Sequence, residues 1–293
     1  MRVFVTGATG FIGSAIVREL LATGHEVLGL ARSDAAAAAL AQAGAQAHRG
    51  ELTDHDSLIA GAQACDGVIH TAFIHDFTQF AANIETDRRA VEAITGALEG
   101  TGKAIAIASG TLMVSHARPA TERDDPEGGF GRAAADAMVV ATGRGFRGAT
   151  VRLPPTVHGA GDHGFVPRMV GFARQHGVAA YVGDGANRWP AVHRLDAARV
   201  FCLALEKAPP GSRLHAVAEE GVPMRAIAEA IGQGVGVPAR SVTPEEAPAY
   251  LDFLAGFSAM DNPTSSALTR EVLGWSPEQP ELLIDIKDGG YFA

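Results

Sequence analysis

Near the N-terminus, Val5-Thr6-Gly7-Ala8-Thr9-Gly10-Phe11-Ile12-Gly13 places glycines at every third position between a β-branched run and an apolar helical stripe. In a strand-to-helix turn each glycine has a mechanical role. Gly7 permits the tight turn, Gly10 lets the backbone come close to an anion, and Gly13 lets the helix pack closely on the strand. The free amides that open the helix, with its dipole, then favour a pyrophosphate. The turn predicts dinucleotide contacts from Thr6, Gly7, Thr9, Gly10, Phe11, Ile12 and Gly13.

A second cue follows the next apolar run, Leu28-Gly29-Leu30-Ala31-Arg32-Ser33. An acid here would accept ribose hydroxyls and repel a 2′-phosphate. Arg32 offers instead a permanent forked cation, and Ser33 a hydroxyl, which together suit that phosphate. NADP, with NADPH preferred over NADH, is the cofactor these residues imply. The plainer account is an exposed arginine followed by Asp34 as a helix cap. Farther along, His158 and His193 could each exchange a proton near neutral pH, although His193 reads more simply as a packed residue bonded to backbone. Phe165 and Met169, with Trp189-Pro190, fit either the apolar wall of a substrate pocket or a core.

The elements that must position these residues have the rhythm of βαβ units. Strands are expected near 2–6, 26–31, 45–49, 67–72, 103–108 and 149–153, with helices between them and two long helices near 76–100 and 130–143. Pro154-Pro155 and the glycines around Gly159, Gly161 and Gly164 loosen the pattern, and the tail mixes a short strand at 213–217 with helices. This predicts an α/β fold: a Rossmann-type doubly wound parallel sheet with a smaller, mainly helical C-terminal substrate domain. Residues 1–155 plus about 188–208 would form the nucleotide domain, and 156–187 with 209–293 the smaller portion.

Composition narrows the partners. With 24 basic residues against 33 acidic ones and no basic block, nucleic acid is not an expected partner. Cys65 and Cys202 lack metal-ligand spacing and read as core fillers in a reducing compartment. Met1-Arg2 leads straight into a strand, and no long apolar run occurs, so a cytoplasmic protein without a membrane segment is expected.

The glycine spacing resembles that of the extended and atypical short-chain dehydrogenase/reductases. Val68-Ile69-His70-Thr71-Ala72 is similar to the family's fourth strand, and Ala191-Val192-His193-Arg194-Leu195-Asp196 to its later F-V-H-V-D-D segment. The resemblance implies further cofactor contacts at Glu51 and Leu52, at Thr71, Ala72 and Phe73, and at Pro154, Pro155, Thr156 and Val157. It also implies a small-molecule substrate and a homodimer. Ser109, with Thr111, would orient a carbonyl at the end of the fifth strand. The family's catalytic tyrosine and the lysine four residues after it share one helical face, but here no lysine follows Tyr181, Tyr250 or Tyr291 by four. Lys287 and Tyr291 have the reverse order and lie at the chain's end. Two registers remain open: Arg132 at the lysine position with Gly128 at the tyrosine, or Ala134 with Phe130.

The implied function is an NADP-dependent oxidoreductase passing hydride between nicotinamide and a small carbonyl, alcohol or imine carbon. Ser109, Thr111, Arg132 and His158 are its catalytic candidates, with Thr111, His158, Phe165 and Trp189 facing substrate. A non-catalytic NADP sensor and a nucleotide-sugar epimerase or dehydratase are the alternatives.

Overall fold

A computed structural model describes residues 1–76, 79–114, 118–126 and 131–293. The first half of the chain forms β1 (Arg2–Thr6), α1 (Phe11–Ala22), β2 (Glu26–Ala31), α2 (Asp34–Gln42), β3 (Gln46–Arg49), α3 (His55–Gln63), β4 (Gly67–His70), α4 (Phe80–Leu98), β5 (Ala104–Gly110) and α5 (Ala133–Val140). There follow β6 (Arg147–Leu153), β7 (Thr156–His158), α6 (Phe165–His176), β8 (Ala179–Val182), β9 (Arg188–His193), α7 (Arg194–Lys207) and β10 (Ser212–His215). The remainder forms β11 (Glu219–Pro223), α8 (Met224–Val235), β12 (Ala239–Val242), α9 (Ala247–Leu251), α10 (Ala255–Ser258), α11 (Ala267–Leu273) and α12 (Leu282–Asp288).

Along β5, alanines and isoleucines alternate, so the two faces of the strand differ in depth. Ala104, Ala106 and Ala108 face one core with α1 and α7, while Ile105 and Ile107 face the other with α3, α4 and α5. Small side chains on the first face let α7 lie close to the sheet, and the large ones fill the second. The central sheet has seven parallel strands in the order β3-β2-β1-β4-β5-β6-β10. The strand expected at 213–217 is its outer strand, β10. Order reverses between β1 and β4, and the crevice outside the C-terminal strand ends at such a reversal is where doubly wound sheets bind ligands.

A second core collects α6, β8, α8, β12, α9 and α12 around Trp189 and Ala191 of β9. Two small sheets, β11-β9-β7 and β12-β8, add strands to a tail expected to be mainly helical. Both cysteines are free and buried, as core fillers would be. The helix expected at 130–143 is shorter: Gly131 at φ +61° and Arg132 as the N-cap hold back its start, and Ala141 ends it in an extended conformation. At α2 the cap is Ser33, whose hydroxyl accepts the Ala36 amide at 3.2 Å, and not Asp34. Among the described residues no helix is long and apolar enough to cross a membrane.

Gly148 shows how tightly α5 rests on β6, because a Cβ there would lie 1.9 Å from the Val139 carbonyl oxygen. Gly148→Ala should therefore cost about 1–3 kcal/mol through overpacking. Gly96, inside α4 with nothing near a Cβ, should gain about 0.5–1 kcal/mol as alanine. Urea unfolding of both variants checks the pair; equal midpoints would contradict the packing described.

Candidate active site

The glycine turn joins β1 to α1 under close constraint. Gly7 takes φ +68°, and a Cβ on it would approach the Ala72 amide nitrogen at 2.7 Å. A Cβ on Gly13 would lie 1.9 Å from the Gly7 carbonyl oxygen, which itself accepts the Gly10 amide at 2.9 Å. Thr9 and Gly10 are exposed and Phe11 and Ile12 half-buried. No side chain caps α1, and no acid stands in its first turn. The helix thus presents its opening amides, and their partial positive charge, toward the crevice.

Arg32 and Ser33 follow β2 directly and are exposed beside this turn. Arg32 has no ion-pair partner among the described residues, whereas the nearby Asp34 is held by Arg49 at 3.0 Å. Ser33 spends a lone pair on the cap, which leaves its O–H free to donate. After β3, Glu51 is exposed with its carboxylate accepting the Thr53 hydroxyl at 2.9 Å, and Leu52 packs on the sheet's second core.

A buried polar chain links four elements at the same edge. Thr6 Oγ1 at the end of β1 lies 2.8 Å from His70 Nδ1 at the end of β4. His70 Nε2 lies 3.1 Å from Asp87 Oδ1 on α4. Arg132 closes the chain with two bonds to Asp87, Nε to Oδ2 at 2.8 Å and Nη2 to Oδ1 at 2.6 Å. Burial alone would raise the Asp87 pKa, but Arg132 and His70 more than offset it and hold the carboxyl below the usual range. His70, fully buried, is pushed down by burial against the opposing pull of Asp87. The Arg132 guanidinium also lies 5.6 Å from the Phe73 ring centroid, in the segment after β4. Thr71 seals that segment onto β1, its hydroxyl donating to the Thr6 carbonyl at 2.8 Å, and the Ala72 amide reaches Thr6 Oγ1 at 3.4 Å. Ala134, the cation position's alternative, is an exposed alanine on α5, while Gly128 and Phe130 lie outside the described residues.

Ser109 ends β5 at 7% exposure, with its hydroxyl 4.0 Å from Met113 Sδ. Thr111 differs from expectation. It is fully buried and donates to Asn262 Oδ1 at 2.6 Å, because the segment before α11 crosses behind it and takes that hydroxyl. Behind Ser109 lies a charge cluster that the sequence reading lacked. Arg152 on β6 is fully buried, 3.7 Å from Asp136 on α5, and donates to the Asp124 carbonyl at 2.9 Å. Burial pushes Asp136 above the usual carboxylate range, with the Ser109 hydroxyl and then Arg152 opposing it.

The segment after β6 is fastened from the far end of the chain. Pro154 and Thr156 are buried, Pro155 and Val157 half-buried, and Thr156 Oγ1 donates to the Pro190 carbonyl. His158, expected to face substrate, is fully buried: Asp285 of α12 draws its Nδ1 inward to 2.8 Å, and His193 packs edge-on at 5.4 Å. Burial lowers the His158 pKa despite Asp285. His193 caps α7, its Nδ1 accepting the Leu195 amide at 3.3 Å. Tyr291, set aside by its position in the sequence, returns to this loop, accepting the Gly159 amide at 3.2 Å and donating to Asp162 Oδ2 at 2.9 Å. Trp189 is fully buried in the second core and so cannot line an open pocket wall, with half-buried Phe165 5.6 Å away.

A model of the NAD dependent epimerase/dehydratase family matches residues 3–216, which includes every element of this edge from the glycine turn to β10. The chain belongs to that family. It is 48% identical over its full length, and that of the relative, to the Schizosaccharomyces pombe protein C2A9.02. It is 28% identical to the 2-alkyl-3-oxoalkanoate reductase of Stenotrophomonas maltophilia, over 81% of this chain and 77% of that one. Among solved structures, a Streptomyces venezuelae dTDP-glucose 4,6-dehydratase with NAD and TYD bound superposes with a TM-score of 0.80 at 21% identity, covering 99% of this chain and 95% of that one. For this member of the epimerase/dehydratase family the glycine turn and its opening amides fit a dinucleotide.

Burial lowers the pKa of His70, His158, His193 and His215 in the folded chain. The unfolded chain therefore binds more protons below the ordinary histidine range, so stability rises with pH. Each such histidine contributes a slope of up to about 1.4 kcal/mol per pH unit below about pH 6.5. The melting temperature should fall steeply from pH 7.5 to 5.5, and a flat profile would contradict these burials.

Proposed function

We propose that the protein is an NADP-dependent oxidoreductase that transfers hydride between the nicotinamide and a small carbonyl, alcohol or imine carbon. The observation that carries this reading is the gathering, at one edge of the sheet, of the glycine turn, Arg32 without an ion-pair partner among the described residues, and the Asp87-anchored Arg132. Family membership supports the nicotinamide chemistry, and a relative named as an oxoalkanoate reductase supports a ketone as substrate.

NADPH, when bound, would supply the hydride. The chain's own residues do the rest. The turn amides hold the pyrophosphate, Arg32 and Ser33 hold the 2′-phosphate, and Glu51 and Leu52 flank the adenine. Thr71, Ala72 and Phe73 on one side, and Pro154 to Val157 on the other, border the nicotinamide half. Ser109 donates to the carbonyl oxygen and orients it. Arg132 stands in for the missing lysine: two of its donors are spent on Asp87, and Nη1 is left for the ribose. His158 lies behind the cleft wall, so the reduced oxygen takes its proton from water. An imine, arriving already protonated, needs no such donor.

Nicotinamide fluorescence titration tests the cofactor assignment. The parent should bind NADPH at least about tenfold more tightly than NADH, and Arg32→Ala should erase that difference, as loss of a charge-assisted phosphate contact would. With a panel of small ketones, Arg132→Ala should lower kcat by roughly a hundredfold, and Arg132→Lys should recover part of it. Background NADPH oxidation across carbonyl and imine panels, by folded protein with cofactor bound, would overturn the reading.

A further inference from the structure

Arg194 is the first residue of α7, and its guanidinium sits 5.1 Å from the ring centroid of Phe11, the first residue of α1. The two helices pack along each other, so their positive ends converge at this point. A cation is misplaced there unless something negative accompanies it. Arg194 has no ion-pair partner among the described residues, and its Nε is buried without a hydrogen-bond partner. The acid of its own first turn, Asp196, is committed elsewhere, accepting the Glu278 and Gln279 amides at 3.0 and 3.1 Å. The first turn of α1 holds no acid. Burial lowers the affinity of Arg194 for a proton, and a second cation, Arg18, adds to that.

The side chain is nevertheless held in place. Gly159, at φ +129°, passes so close that a Cβ would meet Arg194 Cγ at 3.2 Å, and a Cβ on Gly161, at φ +81°, would lie 4.0 Å from Nη1. Phe11 is bordered on another side by His163, at 5.7 Å between ring centroids. The stem is thus packed against a glycine loop and the guanidinium lies over an aromatic ring, with no counter-ion among the described residues, beside the anion-ready amides of α1.

We propose that Arg194 is a clamp for the dinucleotide pyrophosphate, reaching it from the start of α7 beside the glycine turn. This rests on the cofactor reading above, and it adds a residue that the glycine motif does not contain. A pyrophosphate carries the two negative charges that relieve the convergence of two helix ends and an unpaired guanidinium. Because that group is common to both nicotinamide cofactors, Arg194 should act on affinity without choosing between them, in contrast to Arg32.

Fluorescence titrations with NADH and NADPH test this on the parent, Arg194→Met and Arg194→Lys. Methionine keeps an apolar stem against Phe11 and removes the charge, and lysine restores the charge on a different head. Arg194→Met should weaken both cofactors by the same factor, roughly tenfold or more, and Arg194→Lys should recover part of the loss. Competition by ADP should weaken in parallel, whereas adenosine 2′-monophosphate, which lacks a pyrophosphate, should compete as it does with the parent. A melting temperature for each variant separates a lost contact from a lost fold. Cofactor affinities within twofold of the parent in Arg194→Met would overturn the clamp while leaving the cofactor reading standing. Loss of NADPH affinity alone would also overturn it, by placing Arg194 at the 2′-phosphate. A parent that binds neither cofactor would overturn both.

Discussion

A carboxylate with 1% exposure cannot remain ionised inside a protein without partners, and Asp87 is the point on which the candidate site turns. Its requirement for two donors fixes Arg132 at the start of α5 and His70 at the end of β4, and through His70 it reaches Thr6 at the end of β1. Four elements that are distant in sequence are thereby brought into one polar network. The guanidinium cannot swing into solvent without leaving a buried charge uncompensated, so its remaining donors are held in one direction. A lysine in its place could offer only a single flexible ammonium.

The same edge depends on residues that are small. Gly7, Gly13 and Gly148 each sit where a methyl group would collide with backbone, and the alanine face of β5 lets α7 come close to the sheet. Close approach has an electrostatic consequence as well as a steric one. It brings the start of α7 beside the start of α1, and so places Arg194 at two helix ends at once.

Much of the fold was legible because its signals are local. The glycine turn, the β-branched runs and the reversal implied by alternating strands and helices are read within windows of a few residues, and the parallel sheet follows from them. The placement of Ser109 at a strand end was legible for the same reason. What escaped was set by partners far along the chain. Nothing near Arg132 announces Asp87, 45 residues away, and nothing near Thr111 announces Asn262, 151 residues away. Arg152 lies inside a β-branched run that reads as an ordinary strand, and its full burial is visible only once α5 and the 118–125 segment cover it. Tyr291 was set aside for its position near the chain's end, yet α12 carries it back to the loop after β7. His158 was read as cleft-facing because the segment after the sixth strand resembles a substrate-facing part of the family, but the Asp285 carboxylate on that same returning helix decides its direction.

That return has a temporal side. His158 and Asp285 are 127 residues apart, so at ribosomal rates of about 5–20 residues per second the cleft loop is made roughly 6–25 seconds before its fastening. The strands of the nucleotide half emerge first and can pair while α12 is still unmade. During synthesis the loop after β7 must wait, with an unpartnered histidine and an acid at Asp162, for the residues that will tie it down. The cleft loop is therefore fastened well after the strands that carry it are made, and a nascent chain passes through a stage in which the sheet exists and its ligand-facing wall does not.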